Sequence, residues 1–124
     1  MPPPRSDVDI SIIHSIKQVY TIIYQTGKKL PKSDKLGIHA YIEGLARNIL
    51  ELLISASFSY KNKKPEVLEK ARILLEVLKH FVRVEYELHI IDEKAYIRIE
   101  SGIIETSKMT NGWIKYLSQQ NTPT

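Results

Sequence analysis

Lysines are the residues of this chain whose grouping could do chemistry. Lys28, Lys29, Lys32 and Lys35 crowd into eight residues, and Lys61, Lys63 and Lys64 form a second group. Ammonium groups gathered on turns attract phosphate backbones, whereas the same groups on a solvated surface have no specific partner. Both readings fit a net charge of +4. The charge is uneven: residues 1–64 hold ten Lys/Arg against five Asp/Glu, and residues 65–124 hold eight against nine.

Other chemistries find less support. His14, His39, His80 and His89 are scattered, and none stands three residues after a Glu or Asp. The Glu-x-x-His pairs that a carboxylate-bridged di-iron bundle requires are therefore missing, and the reversed His89-x-x-Asp92 is the only near match. A lone histidine in a helix is a packed or solvated side chain more often than a ligand. There is no cysteine, which excludes disulfides and thiolate metal sites. Gly-rich phosphate loops and nucleophile elbows are also missing. The reading is a non-enzymatic protein with no catalytic residue, no metal and no cofactor.

The elements that must position the lysines read as four helices. Over 8–26, Ile12, Ile16, Val19 and Ile23 recur at helical spacing, with Ser6 or Asp7 as a cap and Gly27 just past the end. Pro31 forbids continuation, and Ser33 or Asp34 is expected to cap a second helix over 34–59. Its seam is Ile38, Ile42, Leu45, Ile49, Leu52 and Ala56, stepping by four and three. Pro65 suits the start of a third helix, 65–91, with Leu68, Ala71, Leu75, Leu78 and Val82 inward. Beside them Arg72, Glu76, Lys79, Arg83 and Glu87 form a row of mixed sign that reads as a mutually paired, solvated face. Asp92 caps the fourth helix, 93–118, which turns Ala95, Ile99, Ile103, Thr106, Trp113 and Leu117 toward the core.

Four helices of this length joined by short turns predict an all-α, antiparallel up-down-up-down bundle in one domain. The first and third turns then share one end, so Lys28, Lys29, Lys32 and Lys35 are expected near His89 and Lys94. The head 1–7 and the tail 119–124 are expected to be disordered. Gly37 and Gly44 lie seven apart in the second helix with Tyr41 and Asn48, and Gly102 and Gly112 interrupt the fourth. Each costs about 1 kcal/mol relative to alanine in a helix interior. Such glycines suggest close approach of another backbone, from this chain or a second subunit, or are simply tolerated. No apolar run reaches the roughly 20 residues of a membrane span. Nor does the N-terminus carry the apolar stretch of a secretory signal, so a cytoplasmic location with no membrane partner is expected.

Three stretches in order carry a resemblance: Leu30-Pro31-Lys32-Ser33-Asp34-Lys35, Leu78-Lys79-His80-Phe81-Val82-Arg83, and Met109-Thr110-Asn111-Gly112-Trp113-Ile114-Lys115. Over about residues 10–118 the chain resembles the accessory variability determinant (Avd) protein of diversity-generating retroelements. That family lies within the four-helix-bundle group that includes proteins encoded by intervening sequences in 23S rRNA genes. The resemblance implies a non-catalytic partner of a retroelement reverse transcriptase. It also implies a homopentameric, barrel-like ring that binds the polymerase and RNA or DNA during mutagenic copying. A +4 subunit would become about +20 over a pentamer. By resemblance Lys32, Lys35 and Arg83 are contact residues, and Lys28 and Lys29 join them on charge alone. Gly37 and Gly44 are candidates for a subunit interface, and Trp113 for a core or interface anchor. The alternative is a structural bundle of the intervening-sequence type with no polymerase partner.

Overall fold

Apolar residues stepping by three and four force this chain into helices, because only a helix places them on one side. The computed structural model describes residues 7–120. It contains α1 (Asp7–Gly27), α2 (Lys32–Leu36), α3 (Ile38–Phe58), α4 (Lys64–Glu87) and α5 (Glu93–Gln120), with no strand among the described residues. The four long helices close a cycle: α1 packs on α3 and α5, and α4 packs on the same two. The short α2 packs on α3. No helix among the described residues is long and apolar enough to cross a membrane.

The core takes one stripe from each long helix. Ile12, Ile16, Val19 and Ile23 of α1 meet Ile42, Ile49 and Leu53 of α3, Leu68, Leu75 and Leu78 of α4, and Ile99 and Ile103 of α5, all fully buried. Each such side chain contributes about 1.5–3 kcal/mol through its removal from water. In α3 the buried stripe is His39, Ile42, Ala46, Ile49, Leu53 and Ala56, with Leu45 beside it. The expected seam through Ile38 and Leu52 is corrected by one position, and both those residues are half-buried. The helix lies between α1 and α4, so its inward arc is centred between the two candidate seams.

Helix ends differ from expectation for identifiable reasons. The second helix divides at Gly37, whose N–H bonds back to the Asp34 carbonyl at 3.2 Å. A side chain there would bring its Cβ within 2.8 Å of the Ser33 carbonyl oxygen, so the break is accommodated within this chain. Gly37 therefore lies at a helix junction and not inside a helix. Neither Ser33 nor Asp34 caps: Pro31 holds the cap position with no side-chain bond, and both residues already lie within the first turn. The third helix stops at Glu87, short of Ile91. There the His89 N–H bonds to the Tyr86 carbonyl (2.9 Å) and the Ile90 N–H to the Glu85 carbonyl (3.0 Å), the paired bonds of a Schellman ending. Asp92 does cap α5, its Oδ1 accepting from the Ala95 N–H at 2.8 Å.

Gly102 and Gly112 do not interrupt α5, which runs continuously through both. At Gly102 a Cβ would meet Val19 Cγ2 at 2.8 Å, so this glycine lets α1 come close, whereas Gly112 faces open space. The final helix extends to Gln120, so Gln119 and Gln120 are helical and not part of a tail. Asp7 likewise belongs to α1. As the first helical residue it is not the cap, and a cap at Ser6, the head up to Ser6 and the tail from Asn121 fall outside the described residues.

Candidate nucleic-acid interface

Chain direction brings the lysines together. The C-terminal end of α1, the N-terminal ends of α3 and α5 and the C-terminal end of α4 meet at one end of the bundle, as the contacts of His39 and a shared cleft record. Lys28, Lys29, Lys32 and Lys35 are all exposed there, and none is ion-paired to a carboxylate. They do not form one patch. Lys29 lines a cleft of about 750 Å³ together with His89, Lys94 and Arg98. Lys28 and Lys35 line a separate hollow of about 270 Å³ with Tyr24, Leu36, Ala40 and Glu43. Lys28 Nζ stands 5.1 Å from the centre of the Tyr24 ring, a cation–π contact. Lys32 lines neither.

Arg83 belongs to another setting. Its Nε donates to Glu87 at 3.2 Å and its other guanidinium edge to the Tyr96 hydroxyl at 3.3 Å. Tyr96 in turn donates to Glu100. The guanidinium lies within 6 Å of both the Tyr86 and Tyr96 ring centres, and those rings stack at 4.5 Å and 10°. A permanent cation held this way offers a fixed but half-neutralised charge. Along the same helix Lys79 pairs with Glu76, and Arg72 pairs backward with Glu69, which lies outside the expected row.

Of the interface candidates, Gly44 is half-buried, and only the Arg47 guanidinium, at 3.8 Å, would approach a Cβ there. Trp113 is 5% exposed and sits in the core. Lys64 Nζ lies 5.7 Å above its ring and donates to the Ala56 (2.7 Å) and Ser57 (3.2 Å) carbonyls, closing the C-terminus of α3. That second lysine group is thus partly spent on helix capping.

Beneath the basic end lies a pair that sequence reasoning missed. His39 and Glu85 are both fully buried, with His39 Nδ1 2.8 Å from Glu85 Oε2. His39 Nε2 stands 2.7 Å from the Ile23 carbonyl oxygen. A carbonyl only accepts, so Nε2 carries a proton, and a second proton is shared between Nδ1 and the carboxylate. Glu43 adds a charge 3.7 Å from Nε2. Burial is the largest single effect on His39 and opposes its charged form. The Glu85 and Ile23 hydrogen bonds, together with the charges of Glu85 and Glu43, outweigh it and raise the pKa above 6.5. A raised folded-state pKa stabilises fully below the unfolded value and is lost as pH rises through the folded one. Stability measured by urea unfolding should therefore decline as pH climbs from 6.5. Glu85→Gln should flatten that decline, and an equal slope in the variant would refute the assignment.

Compared with known families and curated proteins, the chain matches no family model and no curated sequence.

Proposed function

We propose that this chain is a non-catalytic accessory subunit of a diversity-generating retroelement, binding its reverse transcriptase and nucleic acid in the cytoplasm. The observation that carries the reading is the unpaired lysine group, Lys28, Lys29, Lys32 and Lys35, standing with Lys94 and Arg98 at one end of the bundle. Cations left without carboxylate partners are available to phosphates and gain from counterion release. The order of the three stretches read from the sequence supplies the partner.

The fold that accompanies this proposal is an antiparallel up-down-up-down bundle repeated in a pentameric ring. Ile73 and Val84 on α4 and Ile97 and Ile104 on α5 are 40–52% exposed, and such outward apolar residues favour burial against further copies. The test is co-purification with the reverse transcriptase, then RNA and DNA binding against salt. Affinity should fall with salt by about 0.7 log units per log unit for each phosphate neutralised on a single strand. Lys32→Ala plus Lys35→Ala should weaken binding and reduce that slope. Absent binding at low salt, or binding indifferent to salt, defeats the basic-surface mechanism.

A further inference from the structure

We propose that the cleft between α1, the α4–α5 turn and α5 is a nucleotide pocket, receiving one unstacked base of single-stranded nucleic acid. This rests on the nucleic-acid reading above and adds where the strand is gripped and in what form. Lys29 comes from the α1 side, Lys94 and Arg98 from α5, and Tyr86 and Ile91 contribute apolar lining. The cleft's volume, about 750 Å³, lies within the range of small-ligand pockets. None of the three cations is ion-paired. The lining also holds two carboxylates, Glu93 and Asp92, whose Oδ1 accepts from the Ala95 N–H, so three cations stand against two anions and the cleft keeps a positive balance. The first turn of α5 adds its positive dipole end to the same wall.

His89 supplies an independent reason to look here. It is the only non-glycine residue with positive φ among the described residues, at 61°. The Schellman position it fills is one that glycine takes without strain. Residues held in such conformations cluster at functional sites, and this one holds an exposed imidazole at the cleft. Tyr86 is braced by its stack on Tyr96, so the wall beside His89 is rigid. A duplex would present only phosphates to the cations and leave the apolar lining empty. An unstacked base fills it while its phosphates meet Lys29, Lys94 and Arg98, which is how single strands are held.

The test uses the full chain and labelled single-stranded RNA of about 12 nucleotides, within the span such sites cover. Single-stranded DNA and duplex RNA of the same sequence are run beside it. Single strands should bind about tenfold or more tighter than duplex, with RNA against DNA reporting which is preferred. Lys94→Ala plus Arg98→Ala should weaken binding about tenfold and reduce the salt slope by about 1.4. The charge-matched Lys70→Ala plus Lys108→Ala should cost far less. His89→Gly should weaken binding while raising the urea midpoint, a combination that a purely structural role does not produce. If duplex binds as well as single strand, if the charge-matched control loses as much, or if a polyglutamate peptide displaces the RNA equally, the pocket is wrong. If the wild type binds single strands and the Lys94/Arg98 variant binds unchanged, the pocket fails while the nucleic-acid reading stands. If the wild type binds no nucleic acid at low salt, that reading itself fails.

Discussion

Glu85→Leu alone should cost the fold about 3–5 kcal/mol, the usual penalty for removing one member of a buried charged pair. His39 would keep its Ile23 bond but lose the acceptor for its second proton, deep between α1, α3 and α4. His39→Leu alone should cost a similar amount, because it strands a buried carboxylate. The double variant His39→Leu with Glu85→Leu should recover most of that loss and could exceed the wild type by about 1–4 kcal/mol. The reason is visible in the pair itself: Glu85 Oε1 is buried and finds no hydrogen-bond donor. The wild-type pair is thus incompletely satisfied, and a well-packed apolar pair avoids that desolvation cost. Urea unfolding followed by circular dichroism measures all four proteins. A loss below about 1 kcal/mol for Glu85→Leu, in the range of an exposed ion pair, would contradict a buried one.

Gly27→Ala should destabilise by about 1–3 kcal/mol, the cost of overfilling a packed site. At most exposed helix ends the same change is mild. Here the new Cβ would stand 2.6 Å from His39 Cδ2, 2.7 Å from Nε2 and 3.1 Å from Glu43 Oε1. The ring has no easy retreat, because hydrogen bonds hold both its nitrogens. Combining Gly27→Ala with His39→Ala removes the clash, so the two losses should be less than additive by about 0.5–3 kcal/mol. Strict additivity would mean that Gly27 acts through something other than the imidazole.

Much of this was legible. The three-and-four spacing identified every long helix, and Asp92 announced the start of α5. Turn lengths implied that Lys29, His89 and Lys94 share an end, and one cleft does hold all three. The buried pair was within reach of the same rule. In α4 the series Leu68, Ala71, Leu75, Leu78, Val82 continues by three to Glu85, and in α3 the series Ala46, Ile42 continues back by three to His39. Reading only apolar residues into the seam hid both. Arg98 stands one turn after Lys94, so its place in the cleft also had a signal. The division of the lysines between cleft and hollow had none, because it depends on how side chains are arrayed around a helix end. Pro31 as the cap position of α2 was hidden as well, because Ser33 and Asp34 carry the better capping side chains.

The single tryptophan gives this bundle an optical asymmetry. Trp113 lies beside Lys64 at the C-terminus of α3, and His39 stands near that helix's start, about 25 Å away along the axis. Indole emission therefore reports the melting of one extremity alone, shifting to the red when water reaches it. Backbone dichroism averages over both extremities. A loss of dichroism that precedes the indole shift would show that the basic end opens by itself, before the rest of the protein lets go.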